Sequence, residues 1–440
     1  MAKDFTTGKI TPMLIRFTIP LVLGNLFQLT YNAVDSIIVG RFVSKEALAA
    51  VGVSNPIMTM MLLFMNGLCM GAGILMGTQY GAKDYETLHR QISTTLIAGI
   101  IFAGVISVSG AIFSPQILML LQIDADILEI TTEYLRVIMV GMIFSFIYNF
   151  YAAVFRAIGD SKTPLLFLVV SSLINIGGDL FFVIILRMGS LGCALATVFS
   201  EFLCALACAI YVQIKFDFLK IRKGWFIFDK ELLKKTISFG WVSAMQQAVV
   251  PLGKVVMQSA VNTMGVPVIA AFAAASRIDD FCYTPEQNIG HAMTSFMAQN
   301  KGAGRFERMK DGFKEGMVIE LCYGFLVLLI GFFGAESIMG LFSTDPAVVS
   351  EGVKYLRVIS IAYLLPALTN GIQGFFRGIG DLKVTLFSSI INIAVRCIVI
   401  FPLLRYVYNG MEAFPISYII GWICMLAAEM PLLIKTYKEY

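Results

Sequence analysis

The stretch ALAAVGVSNPIMTMMLLFMNGLCMGAGILMGTQYGA, Ala47 to Ala82, contains no charged residue, and a second charge-free stretch runs from Gln91 to Ile123. About 20 apolar residues in a helix cross the ~30 Å hydrocarbon core of a bilayer. Both stretches therefore read as membrane spans. The same rule applied along the chain places spans near 14–40, 48–77, 92–113, 133–157, 164–186, 190–213, 232–262, 267–298, 313–333, 353–377, 384–405 and 411–433. The fold class expected is an all-α membrane protein with twelve transmembrane helices.

Composition agrees with that reading. Of 440 residues, 58% are hydrophobic and 14% charged, with a mean hydropathy of +0.80. Soluble chains carry roughly 25% charged residues, so a lipid bilayer must cover this one. A net charge of +4 spread between apolar stretches does not suit nucleic acid. The eight cysteines, all inside apolar segments, offer neither a disulfide framework nor a zinc site. His89 and His291 are too few for a two-histidine helix motif, and Gly8-Lys9 lacks the rest of a P-loop. No nucleophile–base pair is visible, so an enzyme, a cofactor and a nucleotide site are not expected. The first apolar run is too long for a cleavable signal.

Basic residues orient the chain. Lys83, Arg90, Arg156, Lys162, Lys301, Arg305, Arg377 and Lys383 fall in connections on the side of both termini, and the long connections 114–132 and 334–352 carry acids but no base. The bias predicts cytoplasmic termini in a plasma membrane of the bacterial inner-membrane type.

The chain also repeats itself. Tyr134-Leu135-Arg136-Val137-Ile138 recurs as Tyr355-Leu356-Arg357-Val358-Ile359, and Phe155-Arg156-x-Ile158-Gly159-Asp160 as Phe376-Arg377-x-Ile379-Gly380-Asp381. Each half then has six spans in one orientation, a parallel repeat. The expected division is a first lobe over 1–213, a cytoplasmic linker over 214–231 and a second lobe over 232–440. The two six-helix lobes are pseudo-symmetric, and a monomer is expected.

Acids inside spans are costly and normally face a cavity or a partner. Asn25, Gln28, Asn32 and Asp35 share one face of span 1, and Asn175 and Asp179 stand one turn apart on span 5. Counting from the outer ends at 1.5 Å per residue puts Asp35, Asp179 and Thr197 at one depth, about 9–12 Å below the interface. They look like a site; the competing reading is polar residues that hold helices together. Span 7 carries Ser243, Gln247, Lys254 and Gln258 on one face, and spans 8 and 11 add Arg277, Asp279, Asp280, Glu286 and Arg396. Lys254 is expected to meet one of those acids, in a structural network favoured over a substrate site. Gly67/Gly71 and Gly73/Gly77 read as close-packing faces.

These residues resemble a known family. Pro20 followed by Val34-Asp35-Ser36-Ile37-Ile38-Val39-Gly40, with Gln79-Tyr80-Gly81-Ala82-Lys83, Gln299-Asn300-Lys301-Gly302-Ala303 and the two Phe-Arg motifs, is similar to the multidrug and toxic compound extrusion (MATE) transporters over essentially the whole chain. The resemblance implies two lobes around a V-shaped cavity and export of small-molecule, drug-like substrates against inward protons or sodium. It implies a first-lobe cation site at Asp35, Asn175, Asp179 and Thr197, which could take sodium, and a helix bend at Pro20. Where sodium-type members have acids in helices 7 and 10, this chain offers Gln246 or Gln247 and Asn370, which moves the coupling to the first lobe. Cavity candidates are Gln28, Asn32, Gln246, Gln247, Lys254, Glu286, Asn370 and Arg396. A flippase for a lipid-linked precursor in the same fold superfamily is the alternative, and a non-transporting scaffold the weaker one.

Overall fold

The computed structural model of the chain describes residues 4–216, 219–220, 226–407 and 410–440, except for the side chains at 32, 33, 35 and 36. Among these residues there are helices and no strands. The first half holds α1 (Ile10–Phe42), α2 (Lys45–Gly81), α3 (Tyr85–Leu120), α4 (Ala125–Ala157), α5 (Lys162–Asp179) and α6 (Gly189–Lys215). The second half holds α7 (Lys230–Val261), α8 (Val266–Gly302), α9 (Phe306–Gly340), α10 (Pro346–Ala362), α11 (Leu364–Ile379), α12 (Leu382–Tyr406) and α13 (Ala413–Glu439). With α10 and α11 counted as one bent span, the twelve expected helices are present.

Three details differ from the sequence reading. The tenth span is bent by 45° at Tyr363. The stretches 114–132 and 334–352 are not long connections, because α3, α4, α9 and α10 run into them and leave only 121–124 and 341–345 between helices. Among the described residues nine helices are apolar enough to span alone, ten with the bent pair. The two that fall short, α7 and α8, carry Gln246, Gln247 and Lys254, and Arg277, Asp279, Asp280 and Glu286, respectively.

Packing divides the chain into two compact units, Leu23–Ala244 and Asp4–Val22 with Met245–Tyr440. The sequence repeat divides the chain at the 214–231 linker; packing divides it inside α1 and α7. Much of that linker, 217–218 and 221–225, lies outside the described residues.

In the first unit α4 is central, packed on α2, α3 and α6. The small residues of α2 do what their spacing suggests. A Cβ on Gly67 would stand 2.3 Å from Ala244 Cα, and one on Gly71 would stand 2.5 Å from Gly240 N, so α7 runs against α2 at backbone contact. The start of α7 is tied down as well: Asp229 caps it by accepting from the Glu231 and Leu232 amides, and Arg90 lies 2.6 Å from the same carboxylate. The Leu232 amide, then the other amide and Arg90, hold the Asp229 carboxyl below its usual range.

The repeated Phe-Arg-x-Ile-Gly-Asp motif is a helix-stopping device. Gly159 and Gly380 adopt positive φ (79° and 85°), which a glycine tolerates without a Cβ penalty. The amide after each glycine donates back across the turn, Asp160 to Phe155 O and Asp381 to Phe376 O. Asp160 then caps α5 by accepting from the Lys162 and Thr163 amides.

In the second unit α8 packs on α9, α10 and α11, and α13 packs on α12 and α11. The N-terminal segment is sewn onto it. Phe5 N–H donates to Gln299 Oε1, Asn300 and Arg308 donate to Phe5 O, and the Phe5 ring is fully buried against Phe17 and Phe296.

Candidate functional site

Helix α5 positions two of the expected site residues. Asn175 is 2% exposed and Asp179, one turn on, is 0% exposed. Asn175 Nδ2 donates to Thr197 Oγ1 across to α6 at 3.2 Å. The helices approach closely there: a Cβ on Gly178 would stand 3.0 Å from Ala196 Cβ, and one on Gly192 would touch the Phe182 backbone at the same distance. Directly after Asp179 the helix widens into a π-helical turn over Leu180–Ile185, with Leu186 N–H donating to Phe181 O. Such turns interrupt the regular ladder and recur at functional sites. Asp35 and Asn32 lie on α1, but their side chains are outside the described residues. Gln28 is exposed, and Pro20 is buried inside α1, where its missing N–H removes one ladder bond.

The second unit arranges its polar residues differently. Gln246 Nε2 donates to Gln373 Oε1 at 3.1 Å and to Ser389 Oγ at 3.2 Å, and Gln373 donates to Ser389 at 3.0 Å. Asn370 is buried and faces Tyr283. Gln247 is half-buried on α7. Lys254 Nζ lies 2.7 Å from Asp280 Oδ1, with 63% and 50% of the two side chains exposed. Arg277 is exposed. Asp279 accepts from the Tyr355 and Tyr363 hydroxyls. Arg396 stacks its guanidinium over Tyr418 and Trp422, 4.5 and 4.4 Å from the ring centres, and forms no ion pair among the described residues. Among the described residues the anticipated network comes down to the Lys254–Asp280 pair, and Arg396 is held by rings. Glu286 is fully buried.

A family model described as MatE matches residues 20–181 and 243–431 of this chain. The chain belongs to the MATE family. The probable multidrug resistance protein YoeA of Bacillus subtilis (strain 168) is 30% identical over 388 residues, covering 86% of this chain and 82% of that one. YpnP of the same organism, also a probable multidrug resistance protein, is 28% identical over 416 residues, covering 93% and 90%. A MATE crystal structure in the bent conformation superposes with a TM-score of 0.92 at 23% identity, covering 99% of this chain and 98% of that one. This MATE chain is accordingly a multi-pass membrane transporter and not an enzyme.

Sequence reasoning passed over several buried polar residues. Glu201 on α6, one turn beyond Thr197, accepts from Ser145 Oγ of α4. Glu320 on α9 and Glu429 on α13 are both 0% exposed, and Gln373 is buried on α11. The signal was present for Glu201, the one acid of the 190–213 span, by the criterion that selected Asp35 and Asp179; Glu320 and Glu429 share their spans with Glu315 and Glu412 near the ends.

Proposed function

We propose that this MATE transporter is a secondary active exporter that moves organic, drug-like substrates out of the cell in exchange for inward protons or sodium ions. Asp35, Asn175, Asp179 and Thr197 form its cation site, and Pro20 marks where α1 bends. The observation that carries the reading is the pairing of Asn175 with Thr197 beside a fully buried Asp179 at the start of a π-helical turn. The names of YoeA and YpnP support the substrate class.

The chemistry required of the site is modest. A carboxyl there accepts a proton from the outside and releases it to the cytoplasm, or joins the amide and hydroxyl oxygens around sodium. One positive charge entering down 100 mV yields about 2.3 kcal/mol. At a factor of ten per 1.4 kcal/mol, that sustains roughly a fifty-fold substrate gradient, without ATP, for each net positive charge that enters per substrate exported. The chain works as a monomer in a bacterial-type inner membrane with both termini cytoplasmic, in accord with its Lys/Arg bias.

Neutralising Asp35 and Asp179 tests the assignment. The Asp35→Asn/Asp179→Asn protein should fold and exchange a fluorescent organic cation across proteoliposomes without accumulating it. Accumulation by the double variant against a gradient would remove the coupling site from these residues.

A further inference from the structure

Arg396 is a cation without an anion. It stands on α12, ten residues before the helix ends at Tyr406. At 1.5 Å per residue that is about 15 Å from the helix end, near the middle of a hydrocarbon core ~30 Å thick. A charged side chain at that depth is costly, and where one occurs it faces the interior of the bundle and marks a substrate or ion pathway. Arg396 is within electrostatic reach of Tyr418 on α13, Tyr283 and Asp279 on α8, and Tyr355 on α10. The half-buried side chain therefore points into the second unit and not at lipid.

Its seat is built from α13. Gly421 and Trp422 follow Tyr418 by three and four residues, so all three share one face of the helix. The two rings stand 6.1 Å apart at 78° and hold the guanidinium from two directions, 4.5 and 4.4 Å from their centres. Gly421 leaves room for the arginine stem: a Cβ there would stand 2.7 Å from Arg396 Cγ and 2.9 Å from Asn392 O. The helices α12 and α13 thus meet at backbone contact. Asn392, one turn before Arg396, fastens them further by donating to Met425 Sδ at 3.2 Å.

What the seat does not supply is an acceptor. Ring faces attract the positive charge, but they take none of the N–H groups that point outward in the guanidinium plane. Among the described residues Arg396 donates no hydrogen bond and forms no ion pair, and its buried Nε has no partner. Asp279 is within reach, yet the Tyr355 hydroxyl donates to one of its oxygens and the Tyr363 hydroxyl to the other. Tyr283, Tyr355 and Tyr418 are neutral phenols at working pH. A guanidinium held rigidly with its fork unmet is prepared for a ligand that brings two acceptors and one negative charge.

The chemistry of the fork selects that ligand. Two parallel N–H groups match the two oxygens of a carboxylate, a pairing that an ammonium cannot reproduce. A lipid phosphate is held at the interface, about half the bilayer core away from this depth. Tyr283, half-buried on α8, offers an apolar ring beside the fork for the body of the molecule. The charge of Asp279 disfavours ligands with a second negative group. We propose that Arg396, seated on Tyr418 and Trp422, is an anion subsite that pairs with the carboxylate of an exported organic substrate. Carboxylate-bearing amphiphiles, zwitterions included, are then carried as well as cations. The proposal rests on the export reading above and gives it a substrate class.

The test is equilibrium binding to the full chain in lipid nanodiscs, read by fluorescence polarisation. The probes are a rhodamine with a free carboxylate and the methyl ester of the same dye. Arg396→Gln should weaken binding of the free acid roughly ten- to hundred-fold and leave the ester within about two-fold. Arg396→Lys keeps the charge and loses the fork, so it should recover only part of the acid's affinity. Equal weakening of both probes in Arg396→Gln would overturn the proposal by making Arg396 a packing residue, and so would an unchanged affinity for the acid. Gel filtration identifies a variant that misfolds, and the wild type alone then decides. Benzoate must displace the free acid and leave the ester bound; displacement of both or of neither would overturn the assignment. Binding needs no ion gradient. A chain that binds the acid at Arg396 but accumulates no substrate refutes the export reading and keeps this site, whereas accumulation of the ester without binding of the acid does the reverse.

Discussion

Replacing Thr197 by valine keeps the shape of the side chain and removes its hydroxyl. The 3.2 Å bond from Asn175 Nδ2 is then lost. Asn175 is 2% exposed and its Oδ1 has no hydrogen-bond donor among the described residues, so its amide would lose its anchor beside Asp179. Hydrogen bonds between membrane helices contribute about 0.6 kcal/mol on average and up to about 1.7. If the bond serves to hold Asn175 for the coupling ion, that energy is withdrawn from ion affinity. At 1.4 kcal/mol per factor of ten, the ion concentration giving half-maximal export should rise about 3- to 16-fold. Thr197→Ser keeps a hydroxyl and should restore most of the loss. The assay is export of a fluorescent organic cation from proteoliposomes as the imposed proton or sodium gradient is varied, normalised to folded protein. An unchanged ion dependence in Thr197→Val, with only a lower yield or lower melting temperature, would refute the reasoning and make the bond a packing contact.

Other consequences can be measured independently. Gly71→Ala places a methyl 2.5 Å from the α7 backbone, which cannot rotate away, and should cost at least the ~1–3 kcal/mol of an overpacked core. Gly73→Ala meets Ala153 at ordinary van der Waals distance, Cβ at 3.5 Å and O at 3.6 Å, and should be tolerated, which thermal melting of the two variants will compare. Arg396→Lys should destabilise the second unit by about 1–2 kcal/mol through loss of stacking on Tyr418 and Trp422, while Lys254→Ala should stay within about 1 kcal/mol. A cysteine placed in the 214–231 linker should be labelled from the cytoplasmic side only, and labelling from outside intact cells would invert the topology.

Much of the architecture was legible because lipid imposes a long, simple code. Charge-free runs such as Ala47–Ala82 admit only a spanning helix, and the repeated Phe-Arg-x-Ile-Gly-Asp motif marks equivalent turns at Gly159 and Gly380. The bend at Tyr363 was not legible, since no proline stands at that position; the nearest, Pro366, follows it within α11. The division of α1 and α7 between units depends on which face meets which neighbour, and small residues such as Gly67 and Gly71 reveal a close approach without naming the partner. Asn175, Asp179 and Thr197, the residues proposed for the cation site, could be placed at one depth from the sequence because spacing along a helix converts directly to depth. The pairing of Gln246 with Gln373 escaped notice because it joins residues 127 positions apart. The stacking of Arg396 was not legible because a sequence shows charges more readily than it shows a ring pair one turn apart, as Tyr418 and Trp422 are.

The central claim is that an ion gradient drives export by this MATE chain. The most direct measurement uses wild-type proteoliposomes loaded with a fluorescent organic cation, with pH and sodium gradients imposed separately across the membrane. The account predicts accumulation against the substrate's own gradient when protons or sodium move in the opposite direction, reversal when that ion gradient is reversed, and simple equilibration when it is collapsed. Uphill movement that persists with both ion gradients collapsed, or equilibration whatever gradient is imposed, would contradict it.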